Sequence, residues 1–421
     1  MKKKTIAKLF LITVALFYVW FVGNNVAEDL KFMTDSADKV GGLTKSLIIT
    51  GLLMVACISY FVYFSKQIVR TSNIFVFFLV WTVVVTVNAF LNLNINEYYA
   101  ISTNTRIAIT IQQALIHFCL FLFFFSIFKY NGRSLERILT YIIVGWYIII
   151  ALFYSVNYSA LGQIVNSEQT DVLGSSYILL YPLPLALCLK NKFWKWFCVL
   201  IGVIVVMSSI KRGGVLGFAF AMLIYYFVQN FYINHTKYIV RNIIVTIFSV
   251  VLLASAFITY DNIINNGLIQ ERMNMISEDN GSYRGEVMTY LFNNIPNIPI
   301  DKLIFGYGYL GSVNFSPIHL SAHNDFLEVL YDYGLIGFGL YIWFYILIFK
   351  KIKYLIRQKS EYAAPLAAGF TLLLVLSMIS HIIIFPYFAW YAIILGIFDG
   401  ITVNKRKYQI KKILHFSNEK S

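Results

Sequence analysis

The sequence predicts an all-α polytopic membrane protein, with about 12 transmembrane helices at ~20 apolar residues each. Three observations predict it. Of 421 residues, 59% are hydrophobic and only 13% charged, against about 45–50% and roughly 25% in soluble domains. The apolar residues fall in long uninterrupted runs, and the basic residues gather at alternate connections between those runs. An ordinary soluble enzyme, a disordered chain and a disulfide scaffold are all excluded. Cys57, Cys119, Cys188 and Cys198 lie inside apolar runs with no CxxC pair, so neither a disulfide framework nor a cysteine-type zinc site is implied.

The runs occupy residues 6–22, 43–64, 74–92, 107–128, 138–154, 172–189, 193–210, 214–233 and 239–259, then 325–349, 362–382 and 385–402. The first follows Lys2-Lys3-Lys4 and has no small-residue cleavage pattern at Gly23-Asn24-Asn25, so it reads as a retained span. Residues 1–259 thus carry spans one to nine, 260–324 a large extracytoplasmic loop, 325–403 spans ten to twelve, and 404–421 a basic cytoplasmic tail. The loop is long for a connection, which marks a functional or a disordered segment. Its apolar and aromatic residues favour order.

Most of the 34 Lys and Arg residues fall on one side: Lys2–Lys4 and Lys8, Lys66 and Arg70, Lys129 to Arg137, Lys190 to Lys195, Lys237 and Arg241, Lys350 to Lys359, and the tail. The positive-inside bias makes that side cytoplasmic, with both termini inside. The net charge of +14 is therefore an orientation signal rather than a nucleic-acid footprint. Lys211, Arg212, Arg272, Arg284 and Lys302 break the rule by facing outward. A misplaced boundary could explain the Lys211-Arg212 turn, but moving it inside would put Lys190–Lys195 outside. Charge kept against the topology signal points to chemistry.

Inside the spans, His117 and His381 are the main ionisable side chains; a lone histidine there is more often a packed residue than a relay. Three outer segments carry more. Ser209-Ile210-Lys211-Arg212-Gly213-Gly214 joins two spans and offers a planar guanidinium fork beside glycines that let a backbone approach. Ser282-Tyr283-Arg284-Gly285-Glu286 puts another Arg ahead of an amphipathic helix through Val287 to Phe292; alone, it would read as a surface Arg pairing with Glu286. Ser321-Ala322-His323-Asn324-Asp325-Phe326-Leu327-Glu328 leads into a span, and Asp325 with Glu328 resembles a capping box. His323 then precedes a helix N-terminus, whose positive end favours the neutral imidazole a base requires. The bland alternative is an interfacial histidine that anchors the helix.

Two matches are decoys. Gly306-Tyr307-Gly308-Tyr309-Leu310-Gly311 fits GxGxxG without a βαβ context. His319 and His323 are spaced i,i+4, but Pro317 argues against a helix there, and no metal is expected.

The spans, the large loop, the Arg-Gly-Gly turn and the segment from Ala322 to Leu330, followed by Tyr333-Gly334-Leu335-Ile336-Gly337, together resemble the O-antigen ligase/polymerase superfamily. The likeness covers the chain in topology and about residues 208–345 in motif, with Lys211 departing from the small polar residue often found there. It implies a GT-C-like membrane glycosyltransferase of the bacterial inner membrane with an extracytoplasmic site and no cofactor. A glycan would pass from an undecaprenyl-diphosphate carrier to a hydroxyl acceptor, with inversion. The implied roles are His323 as base, Arg212 and Arg284 as diphosphate clamps, and Lys211, Arg272 and Asn324 as substrate contacts. A flippase and a chain-length regulator are the implied partners, and nucleic acid is not. Richness in Tyr, Phe, Ile and Asn and the lack of an appended soluble domain favour an O-antigen or capsular polymerase over a ligase acting on lipid A-core or protein. A polysaccharide or lipid transporter is the alternative from another class. The residues speak against it, since no internal repeat and no midplane carboxylates are evident.

Overall fold

The computed structural model describes residues 3–33, 39–64, 72–92, 103–164, 175–208, 212–233, 284–380 and 388–418, together with Ile244 and Ile382. Among them there is helix and no strand. The helices are α1 (Lys3–Met33), α2 (Lys39–Phe64), α3 (Asn73–Leu91), α4 (Thr103–Ile164), α5 (Ser175–Leu180), α6 (Leu183–Leu187), α7 (Lys192–Ser208) and α8 (Arg212–Phe227). After them come α9 (Arg284–Asn294), α10 (Ile300–Phe305), α11 (Gly311–Phe315), α12 (Asp325–Arg357), α13 (Ala363–Ile379) and α14 (Ala389–Asn418). Five stretches are long and apolar enough to cross a membrane: Asn73–Leu91, Ile107–Asn131, Leu135–Ser155, Gly213–Ile233 and Asp325–Arg357. Shorter apolar helices lie at Thr5–Trp20, Ile48–Tyr60, Tyr177–Leu187, Ala363–Ile379 and Ala389–Val403. The expected ninth span, 239–259, falls outside the described residues apart from Ile244.

Two expected features differ. The basic connection at 129–137 is not a loop: α4 continues through it as helix. That stretch holds no proline and one glycine, and Leu, Glu, Arg and Ile around it sustain helix. The expected span at 172–189 is interrupted at Tyr181-Pro182, between α5 and α6. Proline lacks the donor an interior position must supply. The expected span at 214–233 stands as Gly213–Ile233, with its last turn, Val228–Ile233, in π-helix.

The chain divides into two compact units. One comprises residues 1–86, 107–146 and 386–421. Its core is aromatic: Trp146 packs edge-on to Trp390 at 4.8 Å between ring centres, and Tyr18 lies 5.7 Å and 5.2 Å from those two rings. Such edge-to-face contacts add to simple area burial. His117 is buried here edge-on to Phe388, a packed position rather than a relay.

The second unit, residues 87–106 and 147–385, contains Arg212, Arg284 and the segment from Ser321 to Glu328. Two features of it position the site. First, Gly213 and Gly217 on α8 face α13; a Cβ on Gly213 would stand 2.7 Å from Ile379 Cδ1, and one on Gly217 would stand 3.0 Å from Leu372 Cδ1. A small-xxx-small face of this kind lets two apolar helices pack backbone-close without a water-driven force. Second, α12 is two helices joined at Gly334, whose φ of 66° and ψ of −168° are non-helical. The part after Gly334 is itself long enough for a crossing at ~20 residues.

The break at Gly334 is where the outer segment docks. It frees the carbonyls of Tyr331 and Asp332, and buried carbonyls need partners. Tyr307 N–H donates to the first at 2.8 Å and Gly308 N–H to the second at 2.9 Å. Asn88 Nδ2 of α3 also donates to Asp332 O, at 3.2 Å, and to Phe305 O. The Asp332 carboxylate accepts from the N–H groups of Leu310 (3.1 Å) and Ser312 (2.8 Å), at the start of α11. The GxGxxG segment is thus a clamp around a helix break, and its glycines serve close backbone approach: a Cβ on Gly306 would lie 2.3 Å from Asp332 O. Above it, Val287, Leu291, Ile298, Ala322 and Tyr331 form a buried core with Ile295, Leu303, Tyr307 and Phe315 against them.

Candidate functional site

α9 shows how the local sequence builds its share of the site. Val287 and Leu291, four residues apart, are fully buried, while Glu286, Met288, Tyr290 and Phe292 are exposed. This is the amphipathic helix expected after Arg284. Tyr331 of α12 fixes its far end by donating its hydroxyl to Leu291 O at 2.6 Å. Arg284 is the first described residue of the helix, four residues before Met288.

The segment before α12 differs from the expected capping box. Asn324, not Asp325, is the N-cap: its Oδ1 accepts from the N–H groups of Phe326 (3.1 Å) and Leu327 (3.2 Å). Asp325 is fully buried and accepts from Ile382 N–H at 2.7 Å and Tyr341 OH at 2.8 Å. Tyr341 OH continues to Ser377 Oγ (2.8 Å) and Tyr345 OH (3.2 Å). Glu328, 1% exposed, reaches back past the cap and accepts the His323 N–H at 2.9 Å and the Ser321 hydroxyl. His323 takes φ of 51°, a left-handed conformation rare for a residue with a Cβ. The expected position, immediately before a helix N-terminus, is what this geometry displays.

The end of α13 is where these elements meet. Asn324 Nδ2 donates to Met378 O at 3.3 Å and lies 3.9 Å from Met288 Sδ on α9. The next residue of α13, Ile379, is the one against Gly213. The His323-Asn324 corner, the Met288 face of α9 and the start of α8 at Gly213 are therefore gathered around Met378-Ile379. Arg212 and Gly213 stand in the first turn of α8 rather than in a loop, because α7 ends at Ser208 and only residues 209–211 intervene. A helix N-terminus presents unpaired N–H groups and a positive dipole end, which favour an anion.

Other expected site residues fare differently. Lys211 and Arg272 lie outside the described residues, as does His381. Lys302, one of the cations expected to face outward, donates to Asn92 Oδ1 at 2.7 Å and sits 5.9 Å from the Tyr307 ring centre, a structural tie to the residue that follows α3. Burial, then the Asp301 carboxylate, push the Tyr307 hydroxyl above its ordinary range, so it stays protonated. His319 and His323 share no helix face: α11 ends at Phe315, and both histidines have positive φ in the loop that follows.

Residues 197–342 match a family model described as O-antigen ligase. That segment is similar to the O-antigen ligase family, in line with the resemblance carried by residues 208–345. Members of this family are membrane glycosyltransferase-like enzymes. No curated protein matches the chain. The matched O-antigen ligase segment contains Arg212, Arg272, Arg284, His323 and Gly334, whereas Met378-Ile379, Asp325's partner Ile382 and the α3 asparagines lie beyond it.

Sequence reasoning missed the role of those residues outside the matched segment. Asn88 and Asn92 stand four apart in an otherwise apolar span, a signal that was available: amides in a membrane helix demand partners. Ile379 and Tyr177, whose hydroxyl lies 3.0 Å from a Cβ position on Gly213, carry no pattern that marks them.

Proposed function

We propose that this chain is a polysaccharide polymerase of the O-antigen or capsular type, moving a glycan from undecaprenyl diphosphate to a hydroxyl of another lipid-linked repeat. The observation that carries the reading is the gathering of the His323-Asn324 corner, α9 and the start of α8 around Met378-Ile379. A sugar C1 on diphosphate already has a good leaving group, so the site must deprotonate the acceptor and neutralise the departing charge. His323 is the general base. Arg212 and Arg284 hold the diphosphate, joined by Lys211, Arg272 and the N–H groups at the start of α8; Asn324 contacts substrate beside the base. The acceptor oxygen attacks C1 as the C1–O bond to diphosphate breaks, inverting the anomeric centre in one displacement. No metal is required, because the guanidinium groups supply the positive charge.

The carrier tail stays in the bilayer, which places its diphosphate at headgroup depth on the extracytoplasmic side of the inner membrane. A flippase that delivers the donor and a chain-length regulator are the partners this reaction calls for.

A ligase reading is favoured by the description of the matched family and differs only in the acceptor. Incubating purified protein with one defined lipid-diphosphate oligosaccharide, with and without a lipid A-core acceptor, separates the two. A ladder without the core supports polymerase; a single product that requires it supports ligase. Export of long polymer by a His323→Ala variant would favour transport and end the catalytic reading.

A further inference from the structure

The helix start at α12 is capped twice over, and the second set of bonds has no capping work to do. Asn324 Oδ1 already satisfies Phe326 and Leu327 N–H. Glu328 Oε1 instead takes the N–H of the residue before the cap, His323, at 2.9 Å, and the Ser321 hydroxyl; Ser321 Oγ lies 3.1 Å from the same N–H. Burying a carboxylate at 1% exposure is costly unless its bonds repay it. The cost holds one backbone in a left-handed turn that a side chain disfavours.

We infer that Glu328, with Ser321, is the positioning residue for His323, holding its backbone so that the imidazole faces the site. The inference rests on the reading of His323 as the base. Glu328 touches no substrate; it acts through the bond to the His323 N–H. The neighbouring acids on the same helix face hold other segments, Asp325 the Ile382 backbone and Asp332 the start of α11, while Glu328 accepts the His323 N–H.

The test uses the full-length protein with a defined lipid-diphosphate oligosaccharide, comparing Glu328→Ala, Glu328→Gln, Ser321→Ala and His323→Ala. A misaimed base loses rate in the transition state while donor binding persists. Glu328→Ala is expected to lower kcat by about 10- to 100-fold with donor KM within about 2-fold. Glu328→Gln, whose amide oxygen still accepts the N–H, restores most of the rate, and Ser321→Ala loses about 3- to 10-fold. Wild-type kcat in Glu328→Ala beside an inactive His323→Ala overturns the positioning role and leaves the base intact. Activity in His323→Ala overturns the base reading itself. If Glu328→Ala does not fold, the Gln and Ser321 variants decide: a folded Glu328→Gln without activity, or a Ser321→Ala at full rate, also overturns the inference.

Discussion

His323 is one of four described residues other than glycine with positive φ; Leu310, His319 and Lys359 are the others. Three of them lie between α10 and α12, where the chain turns tightly around the break in α12. Replacing His323 by Ala is expected to cut turnover by about 10²- to 10⁴-fold, the usual worth of a positioned base, with an unchanged unfolding midpoint. Removing Arg212 or Arg284 as Ala should each cost roughly 10²–10³-fold in rate. Lysine at either position should recover only part, since an ammonium cannot span two phosphate oxygens as the guanidinium fork does. Steady-state rates on the lipid-linked donor check all of these. His323 was legible in the sequence because a histidine next to a helix start is a local pattern. Asp325 was misread as half of a capping box because its actual partners, Tyr341 and Ile382, are remote in sequence and carry no motif.

Among elements, α12 carries the most structure per residue. Its first two turns form a stem for the outer segment, and its remainder runs as apolar helix beyond Gly334. A Cβ at Gly334 would stand 2.3 Å from Ile304 O, and φ of 66° is unfavourable there in any case. Gly339, five residues on, has open space around it. Gly334→Ala should therefore lower the unfolding midpoint sharply, whereas Gly339→Ala should be neutral or stabilising by about 0.5–1 kcal/mol. Thermal unfolding in detergent followed by intrinsic fluorescence compares the pair. Asn88→Leu tests the same joint from the α3 side: it leaves Asp332 O with one donor fewer and should destabilise by about 1–3 kcal/mol. The apolar runs and the amphipathic α9 were legible because periodicity is local. The continuity of α4 and the break at Pro182 were not, since charge clusters and proline spacing give only the places where a chain can turn.

At the scale of the whole molecule, helical class and membrane character follow from composition and the length of the apolar runs, and five described stretches meet the requirement for a crossing. Orientation rests on the basic residues, so it is tested by labelling rather than by packing. Cysteines introduced at positions 209 and 285 should react with an impermeant maleimide from the extracytoplasmic side, and one at position 66 only after the membrane is opened. Labelling of residues 208–214 from the cytoplasm would place the arginine turn away from an extracytoplasmic diphosphate and sink the proposed site.

The docking of the outer segment on the break in α12 has a practical consequence for anyone cutting the protein apart. Residues 284–322 look like a detachable head in front of the long apolar helix α12. Yet one of the five residues of its core, Tyr331, belongs to α12, and so does the carboxylate that starts α11, Asp332. A fragment ending at 322 would open that core and take away the acceptors of four backbone donors, those of Tyr307, Gly308, Leu310 and Ser312. Any excised antigen, crystallisation fragment or chimera has to carry the chain on to Gly334, and the graft point belongs at that glycine.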